Sequence, residues 1–356
     1  MRIIEQSGVS IAAVSGCTGH SIVDNQEALY DLYGSDAAKI IRSTGIKSRS
    51  VVAKGTSTLE LCMPAAKEIL GALNYNPDML AGIVSVSFTS DYRVPGNSTL
   101  AQAALGATKE TVCIDLQAHC AGYPYGLWVA SSLTKALGGD VLLLCGDVQS
   151  NLISSLDKAT YPLFGDAGSA TLLLSNGDDL WRFSFFSDGS RAKALQIPAG
   201  GSAHPLTFGD VLPKLQSDGE TRRNIDFAMD GMTTYKFVAS DVYAFLRDYL
   251  KASQLKPEDY AAFVPHQANM YIIRQLAAKL GFTEEQTWRS GDTFGNTAAA
   301  SIPLSIVLNL VADECADKEE PNQPKRCLLA GFGGGLSAAI ADIPLYSNNY
   351  YGLRGL

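Results

Sequence analysis

Residues 140–147, DVLLLCGD, lead through a turn into a second apolar run at 165–175, GDAGSATLLLS. Towards the other end of the chain, CLLAGFGGG at 327–335 leads into LSAAIADIPL at 336–345. Each pair reads as a strand, a glycine turn and a strand. The apolar residues are consecutive rather than alternating, which marks strands covered on both faces. Two such pairs at opposite ends of one chain imply an internal two-fold duplication.

Working outward, short β-branched runs alternate with helical patterns. GVSIAAVSG at 8–16 is followed by helices over 59–73 and near Leu100, the runs GIVSVSF and TVCIDL, and a helix after Cys120. The second half repeats the theme, with helices over 235–252, 269–280 and 302–312 around YAAFVPHQ at 260–267. The alternation predicts an α/β fold in two similar halves, 1–175 and 176–356. The segment 196–230, rich in glycine, proline and charge, is expected to run over the surface or a pocket mouth, and 347–356 to form a loosely held tail.

With 356 residues, 46% of them hydrophobic, the chain can bury a large core. It lacks an apolar run of membrane-spanning length and a secretory pattern near Met1, so the expected location is the cytoplasm. The seven cysteines, odd in number and irregularly spaced, imply reduced thiols and show no zinc-ligand spacing. Cys145 and Cys327 lie in apolar strands, and Cys17, Cys62, Cys113 and Cys315 lack a CxxC partner. A net charge of -8 disfavours a nucleic-acid partner. An acidic carrier protein would need a local basic patch, for which Arg222, Arg223, Lys236, Arg274 and Lys279 are candidates.

Chemistry concentrates in four segments. In QAHCAGYPYG, 117–126, Cys120 ends a strand and opens a helix whose Pro124 is tolerated in the first turn. A helix N-terminus favours thiolate, so a lowered thiol pKa is expected. His266, in VPHQAN at 264–269, leaves the carboxyl end of a strand, where side chains reach into clefts. Asn296 follows a glycine in TFGNTAAAS, 293–301. GFGGG at 331–335 lacks the Lys-Ser/Thr of a phosphate loop and reads as a turn between strands. His119, if on a strand, points away from the Cys120 sulfur.

Together and in this order, these motifs, with STGIKSR at 43–49 and FGDAGSA at 164–170, resemble the ketoacyl-acyl-carrier-protein synthase III family over nearly the whole chain. The resemblance implies the thiolase fold, a duplicated five-layered α-β-α-β-α architecture, and a homodimer. It implies that Cys120 takes an acyl group from coenzyme A or a carrier protein. His266 and Asn296 then stabilise the enolate left when a malonyl thioester loses carbon dioxide, in an oxyanion hole worth about 3 to 4 kcal/mol per donor. A second oxyanion hole would use the backbone N–H groups of Cys120 and Gly334, with Asn269 supporting the site. No metal or cofactor is implied beyond acyl-CoA as substrate. Lys158, Val94 and Phe332 are the implied substrate contacts, and Lys236, Arg274 and Lys279 the carrier-protein contacts.

Some positions depart from the family pattern. Lys39 and Lys158 stand where a tryptophan and an arginine sandwich the adenine of coenzyme A, His119 replaces a small residue, and TSDYRVPG at 89–96 differs from the loop that crosses the dimer. These departures point to a specialised acyl donor or acceptor, as in secondary metabolism. A catalytically silent heterodimer partner is the alternative from another class, and the presence of both Cys120 and His266 argues against it.

Overall fold

In the computed structural model, which describes residues 1–313 and 323–356, the apolar runs form the hearts of two sheets. Cys315 lies outside the described residues. The Asp140–Asp147 strand lies in a six-stranded sheet and the Lys325–Gly333 strand in a five-stranded one. Consecutive apolar residues are required because both faces are covered. Val141, Leu143 and Cys145 face the interior between the sheets, while Leu142 and Leu144 face an outer helix, Thr58–Ala72. Likewise Cys327 and Leu329 point inward, and Leu328 and Ala330 pack towards the outer helices Tyr243–Ser253 and Met270–Leu280. Two helices, Gly122–Leu137 and Ser301–Asp313, fill the space between the sheets. The layers are therefore helix, sheet, helix, sheet, helix, the five-layered arrangement expected.

The duplication is visible in strand order. Ser10–Thr18, Ala167–Leu174, Asp140–Asp147 and Leu80–Val86 lie side by side, paired antiparallel, antiparallel and parallel. Trp181–Ser187, Ser337–Leu345, Lys325–Gly333 and Ala262–Pro265 repeat that series. The ends of the chain are exchanged between the sheets. Ile4–Gln6 joins the five-stranded sheet against Trp181–Ser187, and Tyr350–Gly355 joins the six-stranded sheet parallel to Ser10–Thr18.

The expected loose tail is thus an ordered strand. Tyr351 is 4% exposed and donates its hydroxyl to Tyr346 O at 2.8 Å, and the Tyr350 hydroxyl reaches Glu68. Edge pairing plus one buried aromatic holds a segment whose composition alone looks like a terminus. The 196–230 excursion folds back through two short antiparallel pairs, Leu195–Gln196 with Ala228–Met229 closing its base and Lys214–Leu215 with Thr221–Arg222 within it. Removing a buried aromatic costs about 3 kcal/mol or more. Tyr351→Ala should therefore lower the thermal midpoint by several degrees, read by calorimetry; an unchanged midpoint would restore the loose-tail description.

Candidate active site

Cys120 sits in a 3-10 turn, His119–Ala121, that runs straight into the Gly122–Leu137 helix. The glycine-rich turn of the other half presses against it. A Cβ on Gly333 would lie 2.7 Å from the Cys120 Cβ and 3.3 Å from Sγ, and one on Gly331 would lie 2.8 Å from Ala121 Cα. On the far side, a Cβ on Gly122 would lie 2.6 Å from Val86 and 3.0 Å from the Ala299 Cβ. No side chain fits at these positions, so the glycines serve close approach.

His266 follows the Ala262–Pro265 strand and is 1% exposed. Its Nδ1 lies 2.8 Å from Ser301 Oγ, the first residue of the inner helix Ser301–Asp313. The same hydroxyl accepts from Gln267 N–H at 3.4 Å, which anchors it beside the ring. Asn296 Oδ1 accepts from Ala298 N–H at 3.0 Å, which orients the amide and leaves its Nδ2 hydrogens available to a ligand.

Cys120, His266 and Asn296 line one cavity of about 790 Å³, together with Phe332, Gly333 and Gly334. The Phe332 ring stands edge-on to His266 at 5.5 Å. At the cavity rim the exposed cations Lys39, Arg42 and Lys158 contribute to the wall. Lys158 is already paired with Asp36 at 3.0 Å. Asn269 lines the cavity too, with its side-chain oxygen capping the Met270–Leu280 helix at Tyr271 N and Ile272 N.

Several expectations change. Burial, with the Asp147 charge adding to it, pushes the Cys120 thiol from an ordinary value near 9 up to about 12. A helix terminus contributes about 1 kcal/mol, less than one tenfold step in ionisation, and so loses to desolvation. His119 is not on a strand. It has a left-handed φ of +46° and its ring lines the same cavity as the sulfur. Val94 is 84% exposed and does not line this chain's cavity. Arg222 is salt-bridged to Asp157 and Asp218, and Arg223 to Asp226, so neither is free for a partner. Lys236, Arg274 and Lys279 remain exposed, with Arg274 3.5 Å from Glu284 and Lys279 over the Tyr243 ring.

Two supporting residues escaped the sequence reading, and a third, Gln267, entered it only as part of VPHQAN. Ser301 Oγ holds the His266 ring at Nδ1, and Gln149 Nε2 donates to Asn296 O at 2.9 Å, holding an asparagine of one half from the other. Gln267, buried behind His266, donates to Pro265 O and accepts from Ser290 and Gly291 N–H. Only Gln267 carried a signal, as the middle of VPHQAN. Asp166 of FGDAGSA accepts from the N–H groups of Val52, Gln149 and Ser150, fastening the loops behind Asn296.

Two family descriptions match the chain: 3-Oxoacyl-[acyl-carrier-protein (ACP)] synthase III over residues 114–189, and the same family's C terminal over 250–343. The β-ketoacyl-[acyl-carrier-protein] synthase III of Rhodopirellula baltica is 31% identical over 355 residues, covering 94% of this chain and 97% of that protein. The chain belongs to the synthase III family. An acetoacetyl CoA synthase from a Streptomyces species is 31% identical over 87% of this chain and 91% of its own length. The crystal structure of a 3-oxoacyl-(acyl-carrier protein) synthase from Burkholderia xenovorans superposes with a TM-score of 0.90 at 30% identity, covering 100% of this chain and 99% of that one.

As a synthase III, the chain is an acyltransferase whose electrostatics are set by burial. His266 is pulled down to about 3, with the Ala298 backbone opposing the shift only in part, so it is neutral across the physiological range. The thiol is protonated there. Its reactive fraction, and so the rate of Cys120 acylation by an acyl thioester, should rise steadily from pH 6 to 9.5, measured by intact mass in rapid quench. A plateau below pH 8 would mean that the helix terminus outweighs burial after all.

Proposed function

We propose that this enzyme condenses an acyl thioester with a malonyl thioester by decarboxylation, giving a β-ketoacyl thioester through an acyl group held on Cys120. The observation that carries the reading is the convergence of Cys120, His266 and Asn296 on one cavity, with the His266 ring held by Ser301. The Cys120 sulfur attacks the acyl carbonyl and its proton passes to the departing thiol, so one thioester replaces another. The N–H groups of Cys120 and Gly334 hold the oxyanion of that step. The Gly334 carbonyl is occupied by Ser337 Oγ at 2.7 Å, which helps fix the peptide.

A malonyl thioester then binds with its carbonyl oxygen towards His266 Nε2–H and Asn296 Nδ2. Loss of carbon dioxide leaves an enolate whose charge these two donors stabilise, and its carbon attacks the acyl-Cys120 carbonyl. The cysteine departs as thiolate and takes up a proton. A neutral imidazole suits a donor role, because a charged one would bind the malonyl carboxylate itself and hinder its loss. No metal or redox group takes part in this scheme.

The cations Lys39, Arg42 and Lys158 at the rim suit the phosphates of coenzyme A or of a carrier's prosthetic arm. Lys236, Arg274 and Lys279 are the proposed carrier-protein contacts. A homodimer belongs to the reading: the 89–96 loop exposes Tyr92 and Val94, apolar side chains suited to a second copy. The enzyme is placed in the cytoplasm, and among the described residues no helix is long and apolar enough to cross a membrane.

Intact-mass measurement after incubation with acyl-CoA donors should show an adduct that Cys120→Ala abolishes. His266→Ala and Asn296→Ala should still acylate but release carbon dioxide from malonyl thioesters about 100-fold more slowly. Normal release in both would overturn their assignment. Ser301→Ala should leave acylation intact and slow decarboxylation about tenfold, since the buried His266 loses one well-aligned hydrogen bond. Equal decarboxylation in the variant would remove Ser301 from the mechanism.

A further inference from the structure

His119 carries two features that the steps assigned to Cys120, His266 and Asn296 leave unused. Its φ of +46° is uncommon for a residue other than glycine or asparagine, and backbone outliers of this kind gather at functional sites. Its imidazole is half-buried on the cavity wall, and among the described residues neither ring nitrogen has a hydrogen-bond partner. Burial lowers its pKa, so the ring is neutral and offers one N–H donor and one nitrogen acceptor.

The surroundings show what this group faces. The ring lies against Phe88 at 5.1 Å, Phe88 lies 6.2 Å from Phe227, and Phe227 meets Phe164 edge-on at 5.2 Å. All four rings line the cavity, so His119 is the polar member of an otherwise aromatic wall. A Cβ on Gly334 would lie 3.3 Å from the imidazole, which places the ring beside the turn proposed to hold the acyl carbonyl. A Cβ on the neighbouring Gly333 would lie 3.3 Å from the Cys120 sulfur, so ring and sulfur border adjacent positions of one turn and the ring faces the start of an acyl chain carried on Cys120. An alkyl chain there would leave a buried nitrogen unsatisfied, whereas an oxygen on that chain would partner it.

We propose that His119 determines acyl specificity by hydrogen-bonding an oxygen near the start of the chain, so that the favoured acyl group carries a hydroxyl or keto oxygen at C3. The proposal rests on the reading of Cys120 as the acyl-bearing thiol and names the substrate class of that site.

The test compares Cys120 acylation by 3-hydroxybutyryl-CoA, 3-oxobutyryl-CoA and butyryl-CoA, taken as ratios within each variant by intact mass. The wild type should favour at least one oxygenated donor by about tenfold or more, as sites built to bind an oxygen do. His119→Phe keeps a ring without nitrogens, and His119→Gly suits the left-handed backbone should the phenylalanine not fold. Both should erase the preference, while His119→Asn, which tolerates this φ and keeps a donor and an acceptor, should retain part of it. The proposal is overturned if wild type accepts butyryl-CoA as fast as both oxygenated donors, or if the preference survives in the Phe and Gly variants. It is equally overturned if those variants slow all donors alike, since His119 would then act on the thiol. Absence of any Cys120 adduct from any donor would instead remove the condensing-enzyme reading itself.

Discussion

The active site exists because two turns from different halves of the chain meet without side chains between them. A Cβ on Gly333 would sit 2.7 Å from that of Cys120, closer than carbon atoms approach, so any larger residue there would drive the halves apart at the nucleophile. Other contacts fasten the same seam. Phe164 pairs with Asn296 as a β-bridge, Gly165 N–H donates to Asn296 O, and Gln149 reaches the same carbonyl. The asparagine that belongs to the second half by sequence is positioned largely by the first.

Burial at that seam sets the chemistry. The seam is dry enough to keep His266 neutral and to hold the Cys120 thiol protonated in the resting enzyme. Each group is therefore uncharged at rest, and in the proposed reaction charge would arise only with a thioester to attack or an enolate to hold. Fixed donors that need not reorient at that moment are worth more than the same donors in water. Ser301 contributes by holding the imidazole at Nδ1 from a helix start remote from the cysteine in sequence.

The layers were legible because strands sandwiched between helices need apolar residues at every position, and 140–147 and 327–335 show that without ambiguity. Cys120, His266 and Asn296 stood out through their motifs, and the structure brings all three to one cavity. What escaped depended on tertiary surroundings. The thiol pKa follows from what buries the sulfur rather than from the helix that it opens. The direction of His119 failed because strand alternation has no meaning in a 3-10 turn with positive φ. YYGLRG mixes aromatic, glycine and charged residues, and its strand character comes from the neighbour it pairs with. Ser301 and Gln149, common residues in unremarkable contexts, acquire roles only through contacts made across the fold.

The exchange of terminal strands bears on how the protein is made. Ser10–Thr18 leaves the ribosome long before Tyr350–Gly355, the strand that completes one of its edges. During translation that edge exposes unpaired backbone groups, the kind of surface on which nascent chains join one another. The six-stranded sheet therefore stays open at that edge until Tyr350–Gly355 has been made, so its closure waits on a segment from the far side of the second sheet.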